Sequence, residues 1–308
     1  MIIRAHCQSE INLTGWYWGF GSNLQMNKNY HFRLKFTQNR GKRLVFSLPQ
    51  DNQYQKISDL KIIPSQFKTI KTGNWQNRVA LFRLNDVKNI ITIAFEANFN
   101  QFKGSINPRF SLSNYRHSRN LVTSDRFVNG NDAKIKRLAK QIVKKENNLA
   151  RIIKNAYDFT LEYLKYGNPT EGLYSYKQAI EERITDCGGF STFLTSVLQS
   201  VGIPSRLVVG YLIKENLFTK FFSRFDFCNL SFDFLLMHAW LEVLLPDNTW
   251  FPLDPSIEWR RTHGLTKRLG GFGFIPPDRL VMSYGQDFKL KISNKTYTID
   301  IFQNPVYV

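Results

Sequence analysis

The chain has 308 residues, a formal net charge of +18, 43% hydrophobic residues and only three cysteines. No apolar run approaches the roughly 18 residues of a membrane span, and three scattered cysteines form neither a disulfide framework nor a Cys-x-x-Cys zinc site. These features argue against a membrane-spanning helix, a disulfide scaffold and a metal centre. We expect no cofactor, and a reducing, cytoplasmic location because no apolar leader is visible.

The positive charge is concentrated in the first half of the chain. Residues 1–155 contain 27 Lys and Arg against 8 Asp and Glu, whereas residues 156–308 contain 15 against 16. A solvated basic surface is one explanation. The alternative is an anionic partner, such as nucleic acid or an envelope polymer, bound by the basic N-terminal half.

Residues 1–115 are predicted to form a β-rich domain. Several short runs are rich in β-branched and aromatic residues, and the first alternates with period 2. Asn39, Arg40 and Gly41 separate the first two runs and predict a hairpin there. The spacing of the runs is typical of a small β-sandwich. The runs are residues 30–36, 43–48, 79–84 and 90–97.

A polar stretch over residues 111–132 is predicted to be a linker. The catalytic domain is assigned to residues 116–308 and includes most of this linker. Helical periodicity marks residues 135–142 and 149–161, and Gly167 begins a turn that ends the helical pattern. Further predicted elements are a helix after Cys187, three strands and a final hairpin. The strands cover residues 206–213, 237–245 and 250–254, and the hairpin lies within residues 286–302.

Cys187 is the candidate nucleophile. It begins an apolar helix behind Thr185 and Asp186, which are residues suited to capping. The free N–H groups and the dipole at a helix N-terminus favour an anion, so we expect the pKa of the thiol to be lowered. Gly188 and Gly189 are expected to leave room for a substrate carbonyl, with the Cys187 N–H as an oxyanion donor.

His238 and Asp254 are the candidate base and its orienting carboxylate. They lie near the start of one predicted strand and the end of the next. If Leu244 pairs with Trp250, the two side chains are diagonal neighbours on one face of the sheet. A register shift of one residue would place them on opposite faces.

These motifs together resemble the transglutaminase-like superfamily, in its bacterial and archaeal branch. The resemblance rests on Asp186-Cys187 before an apolar helix, and on four further blocks in the family's order within residues 185–255. Weaker similarity covers the helices from residue 134 and residues 278–287. The blocks are residues 201–206 (VGIPSR), 209–211 (VGY), 238–243 (HAWLEV) and 250–255 (WFPLDP).

The resemblance implies an α+β fold: a papain-like transglutaminase core, with helices packed on an antiparallel sheet, preceded by the small β-sandwich-like domain. It implies a catalytic triad of Cys187 as nucleophile, His238 as base and acid, and Asp254 as orienter. Gly188 stands where animal transglutaminases carry a Trp, and the phenylalanine-rich stretch 214–236 is long. Both features leave the substrate open.

The expected activity is thiol-dependent acyl transfer on an amide carbonyl of a protein or peptide, as a peptidase, amidase or transamidase. The alternative is a catalytically silent binding module of the same fold, recruited by its basic N-terminal half. Residues 214–236 are expected to be a lid or wall over the cleft, or else to pack on the β domain. Cys7 and Cys228 are expected to be unreactive.

Overall fold

The computed structural model describes residues 27–37, 43–83, 90–115, 124–170, 172–214 and 235–308. The fold is α+β, as predicted, with a β-rich N-terminal region before a core of helices on an antiparallel sheet. No helix in the described ranges is long and apolar enough to cross a membrane. Cys7, Cys228 and most of the 214–236 stretch lie outside the described residues, so the predictions on them remain predictions.

The N-terminal region contains two antiparallel sheets with strand orders β1-β6-β3 and β17-β2-β5-β4. The final strand of the chain, β17, pairs with β2, so the C-terminus completes an N-terminal sheet. A domain boundary at residue 115 therefore remains a prediction. The strands are β1 Asn27–Thr37, β2 Leu44–Ser47, β3 Gln55–Ile63, β4 Phe67–Thr72, β5 Asn77–Phe82, β6 Ile90–Asn100 and β17 Val306–Tyr307.

The two sheets share one apolar core. Alternate side chains of β1 and β6 are buried, as period-2 strands require when one face is covered. The predicted hairpin between the first two runs is wrong. β1 pairs with β6 in one sheet, and β2 pairs with β5 in the other. Apolar side chains of both β1 and β2 are buried in the core that the two sheets share. That core includes Tyr30, Phe32, Leu34, Phe36, Phe46, Phe82, Ile91, Ile93, Phe95 and Phe99.

Strands β3 and β4 were not identified from sequence. Most of β3 is exposed, and its pairing with β6 shifts register between Ser58 and Lys61, so no apolar alternation marks it. The predicted linker contains a 3-10 helix at Leu112–Tyr115, whose Tyr115 side chain is buried.

The core sheet has the order β12-β11-β10-β14 and is antiparallel throughout. Helices pack against it, and the predicted helical segments correspond to α1, α2 and α4. The elements are α1 Ala133–Val143, α2 Leu149–Tyr163, α3 Tyr176–Glu182, α4 Cys187–Ser200, β10 Ser205–Ile213, β11 Leu235–Leu244, β12 Trp250–Leu253, α5 Pro255–Thr262 and β14 Arg279–Tyr284.

Helix α4 lies at the centre of this core, and every residue from 188 to 199 is buried. Two of its buried hydroxyls are hydrogen-bonded to nearby carbonyls, whereas the buried Thr195 Oγ1 has no hydrogen-bond partner among the described residues. Thr192 Oγ1 donates to the Tyr174 carbonyl at 3.0 Å, and Ser196 Oγ donates to the Thr192 carbonyl at 2.8 Å. The bond from Thr192 ties α4 to the segment that precedes α3.

Short strands complete the chain. The predicted C-terminal hairpin is present as β15 and β16, which turn tightly because Ile292 pairs with Lys295. A two-stranded sheet joins β7 to β13, and a parallel pair joins β8 to β9 just before α4. These strands are β7 Phe102–Lys103, β8 Lys165–Tyr166, β9 Ile184–Thr185, β13 Phe274–Ile275, β15 Phe288–Ile292 and β16 Lys295–Ile299.

Candidate active site

Cys187 is the first residue of α4, where the sequence places it. Asp186 is the N-cap, and its Oδ1 accepts the N–H groups of Gly188 at 2.8 Å and Gly189 at 3.2 Å. This cap satisfies two of the N–H groups that a helix start leaves open. Cys187 itself is partly exposed, although its neighbours on both sides are buried.

Gly188 and Gly189 have a different role from the predicted one. A Cβ at Gly189 would lie 1.8 Å from Thr185 Oγ1, and one at Gly188 would lie 2.9 Å from Leu173 Cδ1. Both glycines face protein rather than an open approach to the sulfur. Their small size lets α4 pack against the residues that precede it, and it does not clear a path for substrate.

His238 and Asp254 are brought together by the predicted strand register. Leu244 pairs with Trp250, and Leu241 pairs with Leu253, directly before Asp254. His238 Nε2 lies 2.9 Å from Asp254 Oδ2, with the His side chain 2% and the Asp side chain 0% exposed. A buried imidazole and carboxylate at this distance form a charge-assisted hydrogen bond when the ring is protonated.

Asp254 uses both carboxylate oxygens. Its Oδ1 accepts the Ser256 hydroxyl at 3.1 Å and the Ile257 N–H at 3.2 Å, which makes Asp254 the N-cap of α5. Its Oδ2 accepts from His238 and from Arg279 Nη2, the latter at 2.7 Å. Burial acts to raise the pKa of Asp254, but the charges and hydrogen bonds of His238 and Arg279 hold it well below its usual range.

Cys187 and His238 are connected through the backbone next to them. Ser191 Oγ donates to the Cys187 carbonyl at 2.8 Å and lies 3.3 Å from the carbonyl of Ala239, the residue after His238. The thiol lies beside the Ala239 N–H, whose hydrogen bond acts to lower the thiol pKa. No direct hydrogen bond between thiol and imidazole is present among the described residues. The three predicted side chains therefore share one region, with the His–Asp pair already formed.

The thiol pKa is raised, in contrast to the expected lowering. Burial raises the pKa of Cys187 to about 12, and the negative charge of Asp186 adds to the effect. The hydrogen bonds from Ala239 and Gly188 act in the opposite direction and are outweighed. The helix N-terminus alone would favour a thiolate, but two of its N–H groups already serve the Asp186 carboxylate.

Arg279 was missed as a site residue by the sequence analysis. It is fully buried on β14, 25 positions after the aspartate that it contacts. No periodicity or spacing connects the two residues, because β14 reaches the site only through its pairing with β10. The single available signal was its place in the weakly similar block 278–287.

Aromatic and basic side chains lie near the thiol. Burial raises the pKa of Tyr166 to about 12, and the nearby Cys187 contributes to the rise. The guanidinium of Arg260 lies 4.7 Å from the centre of the Tyr166 ring. On the helix that carries Arg260, α5, Trp259 stacks on the C-cap residue His263 with ring centres 3.8 Å apart. Within the described ranges, no group of His, Cys, Asp or Glu is arranged to hold a metal ion.

The part of the chain that contains this site matches a known protein family. Residues 136–255 match the family model of the transglutaminase-like superfamily. That stretch includes Cys187, His238 and Asp254.

One curated protein is similar to part of the chain in sequence. An uncharacterised protein of Bacillus subtilis, YebA, is 25% identical over 154 residues, which are 46% of this chain and 20% of that protein. This chain thus matches only a fifth of the length of that relative.

Among solved structures, a candidate cysteine protease from Cytophaga hutchinsonii has a TM-score of 0.59 at 15% identity, over 93% of this chain and 89% of that one. The periplasmic domain of TgpA from Pseudomonas aeruginosa has a TM-score of 0.42 at 13% identity, over 86% of this chain and 85% of that one. The first likeness shows a shared fold, and the second is too low to support a conclusion.

Proposed function

Given a transglutaminase-like domain at residues 136–255, we propose that this protein is a cysteine-dependent enzyme that transfers an acyl group from an amide. The observation that carries the proposal is the buried His238–Asp254 hydrogen bond of 2.9 Å beside the helix start that bears Cys187. Cys187 is the nucleophile, His238 the general base and acid, and Asp254 the orienting carboxylate.

The proton of the thiol goes to Nδ1 of His238. Nε2 is engaged by Asp254, so Nδ1 is the ring nitrogen that remains for the thiol. Because the thiol pKa is raised to about 12, the resting nucleophile is a neutral thiol that needs this base. The sulfur forms a bond to the amide carbon, and the protonated imidazole then returns its proton to the departing amine.

The oxyanion of the tetrahedral intermediate is stabilised by the Cys187 N–H. Asp186 accepts the N–H groups of Gly188 and Gly189, so we assign the Cys187 N–H as the donor to the incoming oxygen. Water or an amine then attacks the thioester, which gives hydrolysis or transamidation. A protein or peptide with an exposed amide is the proposed substrate class.

The test is trapping of an acyl-enzyme on Cys187. The purified full chain would be incubated with an amide-containing peptide library and analysed by intact-mass and peptide mass spectrometry. We expect an acyl adduct on Cys187 in the wild-type protein, a much smaller amount in H238A, and none in C187A. Adduct formation that is equal in wild type and H238A would contradict the proposed base.

Hydrolysis and transamidation are separated by adding a primary amine, such as a labelled cadaverine, to the same reaction. Incorporation of the label into the peptide identifies a transamidase. Release of free acid at an unchanged rate identifies a peptidase or amidase.

A further inference from the structure

Arg279 competes with His238 for one oxygen. Asp254 Oδ2 accepts from His238 Nε2 at 2.9 Å and from Arg279 Nη2 at 2.7 Å. Neither Asp254 nor Arg279 has any exposed side-chain surface. The guanidinium therefore keeps the carboxylate ionised whether or not the imidazole carries a proton, because a buried carboxylate without a cation would be costly.

The contact continues as a chain of alternating charges toward the surface. Arg279 Nη1 donates to Asp278 Oδ1 at 2.8 Å, and Asp278 Oδ2 accepts from Arg268 Nη1 at 2.9 Å. Arg268 Nη2 donates to the Ile213 carbonyl at the end of β10, at 2.8 Å. The side chain of Arg268 is 20% exposed and that of Asp278 is 11% exposed. This series of charged side chains therefore reaches solvent at Arg268, while Arg279 and Asp254 are fully buried.

A glycine fixes where the guanidinium can lie. Gly270 has φ +133°, and a Cβ there would come within 2.4 Å of Arg279 Nη2. The neighbouring Leu269 carbonyl accepts from the same Nη2 at 3.3 Å. The loop before β14 is thus closed directly onto the arginine, and the donor that reaches Asp254 has little freedom to move.

We infer that Arg279, held by Asp278 and Arg268, is a positioning residue that fixes the Asp254 carboxylate and limits how strongly it attracts the His238 imidazolium. The inference rests on the proposed function, in which Asp254 orients the catalytic imidazole. Without the arginine, the full negative charge of Oδ2 would act on the ring. With it, part of that charge is balanced by the guanidinium while the ring stays oriented by Oδ2.

Two groups at the start of α4 also lie near His238 or beside its strand. Asp186, its N-cap, interacts electrostatically with His238, and the Cys187 thiol lies beside the next residue of β11. Substitutions of Asp278 or Arg268 leave all of these groups in place.

Removal of the charge of Asp278 and removal of the charge of Arg268 are expected to shift the His238 titration midpoint in opposite directions. Loss of the negative charge of Asp278 makes the surroundings of His238 more positive and lowers its titration midpoint. Loss of the positive charge of Arg268 raises that midpoint. We expect the His238 titration midpoint to shift by on the order of half a pH unit in D278N. The shift in R268Q should be smaller, because the Arg268 side chain is partly exposed and solvent screens its charge.

The experiment follows the His238 ring by NMR in the full chain carrying C187S, without substrate. The chain has five histidines, so the His238 signal is assigned from its absence in H238Q. Midpoints are measured in D278N, R268Q, R268K and R126Q. Arg126 pairs with Asp287 and Asp300, outside the chain of charges, and serves as the matched control.

We expect D278N to lower the midpoint, R268Q to raise it, R268K to restore it and R126Q to leave it unchanged. Shifts of the same sign in D278N and R268Q, or shifts no larger than in R126Q, would overturn the inference. If D278N does not fold, equal midpoints in R268Q and R268K would overturn it. Because no turnover is measured, failure of the proposed acyl transfer would leave this result intact and separately visible.

Discussion

Asp254 combines three duties in one side chain: it orients His238, neutralises Arg279 and caps α5. Its two oxygens divide these duties, since Oδ1 accepts from Ser256 and Ile257 at the start of α5, and Oδ2 accepts from His238 and Arg279. A substitution at this position therefore affects stability as well as chemistry, and the two effects have different dependences on pH.

The change D254N tests the stabilising part. It leaves Arg279 buried without this partner, and we expect a loss of about 3–5 kcal/mol in the free energy of unfolding near neutral pH. The pKa of Asp254 is lower in the folded protein than the roughly 3.9 of an unfolded chain. Its stabilising contribution is thus present above about pH 4 and is lost as pH falls toward the folded-state pKa.

Urea unfolding of wild type and D254N at a series of pH values measures this effect. The gap between the two proteins should narrow steadily below about pH 4. A gap that stays constant across that range would mean that folding does not lower the pKa of Asp254.

The reactivity of Cys187 tests the chemical part. With the thiol pKa raised to about 12, an isolated Cys187 should react slowly with iodoacetamide near neutrality. In H238A we expect its rate to rise about tenfold per pH unit between pH 7 and 9.5, because the thiolate fraction does so this far below the pKa. In wild type, the imidazole can take the proton, and the rate should level off near neutral pH.

Peptide mass spectrometry gives the rate at each cysteine separately. Cys187 in wild type is predicted to be modified faster near neutrality than Cys7 and Cys228. Identical pH profiles in wild type and H238A would show that His238 does not accept the thiol proton.

Helix α4 depends on a close approach behind its first turn. Gly189 has no room for a Cβ, since Thr185 Oγ1 and Thr185 Cβ would lie at 1.8 and 2.8 Å. At Gly188, one residue earlier, a Cβ would lie 2.9 Å from the end of the flexible Leu173 side chain and 3.0 Å from Asp186 Oδ1. The two positions therefore form a matched pair within one turn of one helix.

We expect G189A to destabilise the protein by about 1–3 kcal/mol, as overpacking against a fixed group does. G188A should cost less, because Leu173 can move and alanine favours a helix more than glycine. Thermal and urea unfolding of both variants measure the difference. Equal stability of the two variants would show that the contact with Thr185 is not limiting.

Helix α1 carries much of the unpaired positive charge. Its apolar residues Ile135, Ala139 and Val143 are buried, while six exposed cations cover the other side and the turn after it. None of the six forms an ion pair with a carboxylate within the described ranges. They are Lys134, Lys136, Arg137, Lys140, Lys144 and Lys145.

If the basic half binds an anionic partner, α1 is the element we expect to do so. The triple change K136E/K140E/K144E should lower the salt concentration at which the full chain leaves a heparin column, because fewer counterions are released on binding. A triple change in β3 and β4, K61E/K68E/K71E, alters charge equally and serves as the control. Equal loss of retention in both would indicate a general surface effect, and no retention of wild type at low salt would indicate a solvated surface.

The N-terminal strands and the core share contacts across the whole molecule. The edge strand β14 is hydrogen-bonded along its backbone by two amide side chains from the N-terminal region. Gln55 Oε1 accepts the Val281 N–H at 2.7 Å, and Asn77 Oδ1 accepts the Tyr284 N–H at 2.7 Å. Because Arg279 lies on β14, these contacts also help to place the arginine of the site.

Deletion of residues 1–115 should therefore leave no stably folded catalytic domain. Tyr211, Leu280 and Met282 are buried in the same cluster as the side chains of β1, β2 and β6, and would become exposed. We expect residues 116–308 alone to be aggregated or to lack a cooperative unfolding transition. A soluble fragment with a sharp transition would show that the boundary at residue 115 separates independent domains.

Local patterns in the sequence determined much of the site. Apolar residues at helical spacing placed α4, and a capping aspartate marked its start at Cys187. The tight turn between two strands offered the register that brings His238 to Asp254 as one of two possibilities, and the observed pairing of Leu244 with Trp250 selects it. These features depend on neighbours a few residues apart, so the chain itself encodes them.

Tertiary structure decided what depends on partners distant in the chain. The pKa of Cys187 reflects burial and the charges around it, and these outweigh the helix N-terminus that the sequence displays. The position of Arg279 follows from how β14 pairs with β10, and the packing role of Gly189 follows from its contact with Thr185. Electrostatic energies and close contacts sum over all neighbours in space, and a one-dimensional pattern specifies only those nearby in the chain.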